Sequence, residues 1–442
     1  MDLLHGSVRK LYFRYFAAAF GSALVVSVYS LIDCMMVGQY EGPNGVAALA
    51  TVAPIWNIIY SLGLLFGIGG SVLMSTARGA GDRKQGNRDF TIALIGAASA
   101  AALAWAGVTF LDVPLLRLFG ADDVLLPLAQ EYLFPIKFVV PLFVFGQFLA
   151  AFVRNDNAPA KATAAVLAGG IFNIFGDYFF VFVCDMGIRG AGLATAIGQI
   201  ISTAILLSHF LSRRCTLRLA PPRGFILRTA RIVTTGFATF FIDIAMGILS
   251  MLFNNQIMRY SGSDALAVYG VIINVSTLVQ ACAYGVGQAA QPIISVNFGA
   301  KKTGRIFETL RWSLMTCAAL SLFWTGLTMA FPLQLTGLFM ELTPSVAAIA
   351  PAIERTYFIS FLLLTYNIFS TYYFQAIWKP AASFAVSVLR GTVISGALIF
   401  LLPVVGGADA LWFAMPITEL VVALLVTMLI VRYNKTLKRN NK

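Results

Sequence analysis

The chain has 442 residues, of which 59% are hydrophobic and 11% charged, against about 25% charged in an ordinary soluble domain. Apolar runs with few charges recur from end to end. This excludes a soluble globular enzyme, a disordered chain and a single-pass receptor with a large soluble domain. The net charge of +12 could suggest nucleic acid, but the charges sit at the ends of the apolar runs, so membrane topology explains them and no nucleic-acid partner is expected.

A helix needs ~20 apolar residues to cross the hydrocarbon core, and twelve stretches qualify. Span 1, 12–37, follows Arg9 and Lys10; its apolar run is too long for a signal peptide, and it carries Asp33 near its far end with Met36 beyond. Spans 2, 3 and 4 cover 47–75, 90–111 and 127–152, the last containing Lys137. Span 5, 161–183, carries Asn173 and Asp177, which share one helix face because they are four residues apart. Span 6, 191–212, has Thr195 one turn inside. A basic, proline-containing connector, 213–229, follows. Span 7, 230–258, brings Phe240, Phe241 and Asp243, and span 8, 265–296, brings Gln280, Tyr284, Gln288 and Gln291. Spans 9 to 12 cover 308–331, 348–376, 381–403 and 411–433, with Tyr366, Asn367, Tyr373 and Gln375 in span 10, Arg390 in span 11 and Glu419 in span 12.

Lys and Arg set the orientation. One set of span ends holds 25 of the 31 basic residues, from Arg9, Lys10 and Arg14 through Arg213, Arg214 and Arg218 to Arg439 and Lys442. The opposite set holds only Arg117, Arg189, Arg259 and Arg355. The bias alternates loop by loop, so both termini are expected in the cytoplasm.

The two halves resemble each other. A shift of 218 lays Gly67, Gly69, Gly81 and Gly86 on Gly285, Gly287, Gly299 and Gly304, and a shift of 221 lays Pro159 and Gly170 on Pro380 and Gly391. Six spans separate the partners, so the repeat is parallel, about an axis along the membrane normal, with a substrate path expected between the halves. The expected fold is an all-α integral membrane protein, twelve transmembrane helices in two pseudo-symmetric six-helix lobes. The lobes are 1–212 and 230–442, joined by the connector.

A charge at the bilayer centre costs ~2.5–3.5 kcal/mol on insertion scales, so each intramembrane acid needs a reason. At ~1.5 Å per residue, Asp33 lies ~30 Å from the cytoplasmic start of span 1 and Asp177 ~24 Å from that of span 5. With Thr195 they fall in the outer half of the membrane, all in the first lobe. The repeat partners of Asn173 and Asp177 are Ile394 and Leu398, so the cluster is no symmetric scaffold. Two carboxylates, an amide oxygen and a hydroxyl are hard ligands suited to a small cation, and two close carboxylates can share and carry a proton. Hydrogen-bonded glue between helices is the other reading of the same residues. Arg390 and Glu419 are expected to meet as a buried ion pair, and Lys137 to snorkel outward. Met36, Phe240, Asp243, Gln280, Tyr284, Gln288, Tyr366 and Tyr373 are candidates for a cavity taking a large, partly apolar cation; ordinary helix packing is the alternative for each. Catalysis has little to build on: no GxxxxGK[ST] or HExxH occurs, His5 and His209 stand far apart, and the five cysteines form no CxxC pair. No enzyme activity, cofactor or bound metal beyond a coupling ion is expected.

The assembled pattern resembles the multidrug and toxic compound extrusion (MATE) family of bacterial efflux transporters. It rests on YSLIDCMMVG in span 1, ALATVAPIWN opening span 2, TARGAGDRKQG after it, and FVRNDNAPAKA before NIFGD in span 5. GIRGAGLATAIGQ follows, and ALAVYGVIINV, QPIISVNFGAKK and FQAIWKPAASFAVSVLRG come in the second half. The resemblance implies a V-shaped pair of lobes exporting organic cations in exchange for Na⁺ or H⁺. It places the coupling site at Asp33, Asn173, Asp177 and Thr195, which would be metal ligands if the ion is Na⁺. It also implies a multi-pass protein, a monomer, of the bacterial inner membrane. The chain departs from the family in having no proline between Leu11 and Asp33. Its rivals are a lipid-linked oligosaccharide flippase of the same superfamily and a non-transporting membrane receptor.

Overall fold

The protein is described by a computed structural model covering residues 3–213, 215–340 and 342–439; Arg214 and Lys442 of the basic set lie outside the described residues. Among the described residues there is no strand. The α-helices run, in the first half, α1 Val8–Glu41, α2 Pro43–Gly79, α3 Arg83–Phe110, α4 Asp112–Leu118, α5 Leu125–Lys137, α6 Val140–Asn155, α7 Pro159–Asp177 and α8 Gly187–Leu207. In the second half they are α9 Phe225–Tyr260, α10 Gly262–Gly299, α11 Thr303–Ala330, α12 Pro332–Phe339, α13 Pro344–Phe358, α14 Phe361–Ala376, α15 Pro380–Val388, α16 Ile394–Gly406 and α17 Ala414–Arg439. Short π-helical turns, Tyr178–Val183 and Leu389–Val393, follow α7 and α15.

Among the described residues eleven helical runs are long and apolar enough to cross a membrane, and the pair α5 and α6, taken as one span, makes a twelfth. That pair is bent by 60°, where span 4 was expected to be one continuous run. Pro135 inside α5 and the proline in the first turn of α6 remove backbone donors and open the ladder there. Elsewhere the stops and starts follow local chemistry. The Asp82 carboxylate accepts from Gln85 N at 2.8 Å to cap α3, and Pro159 and Pro380 open α7 and α15, where a missing N–H costs nothing.

The repeat is written in the backbone. Gly42 and Gly262, Gly81 and Lys301, and Gly187 and Gly407 are left-handed pairs 220 residues apart, and Asn157 and Trp378 form a fourth pair 221 apart. Asp82 N donates to Ala77 O at 2.9 Å, as Lys302 N does to Asn297 O. The helix ends thus fix the register at 220, and the gapless glycine match at 218 is two residues out. Helix caps set the register because they bind specific carbonyls; glycines scattered along a span do not.

The contacts divide the chain into two compact units: Met1–Gly6 with Ala17–Asp243, and Ser7–Phe16 with Ile244–Lys442. The division falls inside α9, and the first turns of α1 belong to the second unit. There Arg9 lies over the Trp312 ring at 5.0 Å, and Phe13 meets it edge-on at 5.6 Å. Within the first unit α2 crosses α9 so closely that a Cβ on Gly69 would lie 2.1 Å from Ile232 O, and one on Gly236 2.0 Å from Leu65 O; only glycine permits that crossing. Beside it Phe90, Phe148 and Phe152 form a buried aromatic core with centroids 4.7–6.2 Å apart.

Candidate functional site

Four elements of the first unit converge on a buried polar cluster. Asp33 on α1 accepts a hydrogen bond from the Tyr132 hydroxyl of α5 at 3.0 Å. Asn173 on α7 donates through Nδ2 to Thr195 Oγ1 of α8 at 3.0 Å and, at a longer 3.4 Å, to Asp177 Oδ1 one turn on. Asp177 is fully buried and Asn173 nearly so. The π turn begins at the residue after Asp177, and such an insertion redirects side chains at its edge. The four expected residues are therefore brought together.

The hydrogen bonding at this cluster is incomplete. Asp33 Oδ1, Asn173 Oδ1 and Asp177 Oδ2 are buried and have no hydrogen-bond partner. Three oxygens, all acceptors, two of them from carboxylates, are left over at one place among apolar helices. Burying such groups unpaired is costly. A small cation, or a proton on a carboxylate, satisfies them. Tyr132 is the participant that sequence reasoning missed. An isolated tyrosine in an apolar run looks like core, and only the bend between α5 and α6 comes with a signal, the prolines beside it.

The tentative cavity residues are distributed over both units. Met36, Phe240 and Asp243 belong to the first, and Gln280, Tyr284, Gln288, Tyr366 and Tyr373 to the second. Met36, Phe240, Asp243, Tyr284, Gln288 and Tyr366 are half-buried. Gln280 is buried with Oε1 unpartnered. Tyr366 bonds Thr427 at 2.9 Å. Tyr373 is a correction: it is fully buried and its hydroxyl donates to Asn434, so it is part of the packing between α14 and α17 and offers a ligand no surface.

Both intramembrane bases are neutralised. Lys137 Nζ pairs at 2.7 Å with Asp112, the residue just past the outer end of span 3, the direction in which it was expected to snorkel. Arg390 Nε meets Glu419 at 2.7 Å, as expected, and Asn367 Nδ2 donates to the other Glu419 oxygen at 2.6 Å. Glu354, fully buried on α13, accepts from Thr336 at 2.6 Å and leaves Oε2 unpartnered. In the sequence its neighbour Arg355 made this stretch look like a wet span end.

A second cluster missed in the sequence lies at the turn between α6 and α7. The Asp156 carboxylate accepts from Arg78 at 2.7 Å, from Thr216 N at 2.9 Å and from the Thr216 hydroxyl, and it bonds His209 Nε2 at 2.8 Å. Burial alone would raise its pKa, but His209, Thr216 and Arg78 hold it below the usual carboxylate range. Cys215 lies close enough for Asp156, His209 and Cys215 to present ligand atoms within 4.8 Å of one another. Both carboxylate oxygens are already engaged and a guanidinium stands beside them, so the cluster acts as a latch holding the connector to the first unit.

Comparison with known proteins follows this geometry. The MatE family model matches residues 18–179 and 237–401. The multidrug export protein MepA of Staphylococcus saprophyticus is 25% identical over 413 residues, 93% of this chain and 90% of that protein. MepA of Staphylococcus aureus is 23% identical over 88% of this chain and 86% of its own length. A solved multidrug resistance MATE family transporter of the MOP superfamily, in an outward-facing conformation, superposes with a TM-score of 0.90 at 20% identity, covering 99% of this chain and 98% of that one. The last comparison shows a shared fold.

Proposed function

Because the chain belongs to the MatE family of membrane transporters, we propose that it is a secondary active antiporter that exports organic cations in exchange for H⁺ or Na⁺. Asp33, Asn173, Asp177 and Thr195 form its coupling site, with Tyr132 orienting Asp33. The reading rests on the three unpartnered oxygens of Asp33, Asn173 and Asp177. The names of the MepA relatives support the export of drugs.

The mechanism is a competition. Cation or proton entry satisfies the orphaned oxygens and favours one arrangement of the helices that carry them. Substrate binding favours the other. Coupling arises from the differential affinity of the two ligands for the two states. A monovalent cation moving inward gains ~2.3 kcal/mol per 100 mV, besides its concentration gradient. In this reading the protein works as a monomer, without a cofactor, in the bacterial cytoplasmic membrane with both termini inside. A flippase for an anionic lipid-linked sugar would need free intramembrane bases, and Lys137 and Arg390 are both paired with acids.

The test is ethidium uptake into inside-out vesicles under separately imposed Na⁺ and H⁺ gradients, with wild type beside Asp33→Asn. Uptake driven by one gradient and lost in the variant supports the antiporter and names the ion. Folded protein that moves no substrate under either gradient refutes it as a drug antiporter.

A further inference from the structure

In the second unit, α11 and α17 both pack on α14 and leave a groove of 540 Å³ between them. Its wall on α11 is Phe307, Leu310, Leu314, Met315 and Ala318, with Arg311 at the rim; α17 supplies Asn434 and Lys438. Asn434 is pinned to the floor by the Tyr373 hydroxyl, and Lys438 Nζ lies 5.4 Å from the centre of the Phe307 ring. No acid lines the groove, and among the described residues neither Arg311 nor Lys438 has an ion-pair partner.

The first unit shows what such a groove accommodates. At the register of 220, Leu310 and Arg311 correspond to Phe90 and Thr91. There the chain leaves α8 through a short turn and folds back across α3. Cys215 and Leu217 join the core around Phe90, and Ala220 N donates to Thr91 Oγ1 at 2.9 Å. In the second unit α17 instead runs on as helix to Arg439. The place taken by apolar side chains and a backbone in one unit is, in the other, an open apolar slot capped by two cations.

We propose that this groove binds an anionic phospholipid from the leaflet on the side of residues 7 and 439, with an acyl chain along Leu310, Leu314 and Ala318 and the phosphate at Arg311 and Lys438. Exposed Met315, Leu322 and Phe323 on α11 and Leu424, Met428 and Val431 on α17 continue the apolar surface into the bilayer. Basic pockets between membrane helices hold such head groups, each cation near the surface contributing to the attraction.

Dioleoyl phosphatidylglycerol is titrated into the delipidated full chain and its binding followed by native mass spectrometry, with phosphatidylcholine in parallel. Wild type is expected to bind one phosphatidylglycerol in preference to phosphatidylcholine. Arg311→Gln with Lys438→Gln is expected to weaken that binding by about tenfold or more. Ala318→Trp, at an exposed position, blocks the slot without touching the charge and is expected to abolish the preferred site. Arg83→Gln with Lys84→Gln, an equal loss of charge in the first unit, leaves it unchanged. Equal binding of the two lipids, an equal loss in the Arg83/Lys84 variant, or retention in Ala318→Trp each overturns the proposal.

Discussion

In the first unit Gly169 on α7 and Gly198 on α8 touch backbone to backbone: a Cβ on either would lie 2.6 or 2.7 Å from the other's carbonyl oxygen. In the second unit the partner of Gly169, at a shift of 221, is Arg390, which reaches across to Glu419. Glu419 is the partner of Gln199 at a shift of 220, and Asn367, which bonds it, is at a shift of 221 the partner of Gly146, the glycine packed against Gln199. The same three helices are therefore joined by close backbone contact in one unit and by a compensated ion pair in the other. The two acids of the buried polar cluster in the first unit, Asp33 on α1 and Asp177 on α7, differ from Glu419: among the described residues neither is paired with a base. Charge that is matched by charge fixes structure, and charge left with spare acceptors is available to a mobile ion.

That contrast can be broken at several points. Asp177→Asn should lower ion-driven export to background while the protein stays folded, since it removes a charge that nothing in the fold pairs. Flux assays run beside thermal unfolding in detergent separate the two outcomes, and normal export would remove Asp177 from the coupling site. Glu419→Gln should do the reverse. It leaves Arg390 buried without its counter-charge, at a cost of about 3–5 kcal/mol, seen as a lowered Tm. Replacing both partners, Arg390→Met with Glu419→Leu, should recover most of that loss; if it does not, the pair has a role beyond packing.

Gly169→Ala probes the other side of the comparison. The added methyl meets the Gly198 carbonyl, and overpacking of this kind costs about 1–3 kcal/mol. A silent Gly169→Ala would mean that α7 and α8 separate easily. An effect of similar size, but dependent on pH, is expected at the Asp156 latch, outside the membrane. Its carboxyl is held below the usual range, whereas in the unfolded chain it titrates near 3.9. Its stabilisation is therefore complete at neutral pH and is lost as the pH falls from about 4 through the lower folded value. Asp156→Asn should lower stability at pH 7 by about 1–3 kcal/mol and converge with wild type in acid. A constant difference across that range would show that the charge is not what matters.

The sequence by itself determined the membrane class, because hydrocarbon selects for long apolar helices regardless of how they pack. It determined the existence of a parallel repeat and the membership of Asp33, Asn173, Asp177 and Thr195 in one cluster. An intramembrane acid is expensive enough to stand out, and a spacing of four residues fixes a helix face. Only the tertiary structure decided the rest. Tyr132 joins Asp33 across 99 residues, and nothing local marks a tyrosine as a hydrogen-bond donor. The register of the repeat came from left-handed cap residues such as Gly187 and Gly407, which have no signature in hydropathy. Lys137 found Asp112, and the connector folded onto Asp156, because each buried charge settles on whichever partner the packed helices bring within reach.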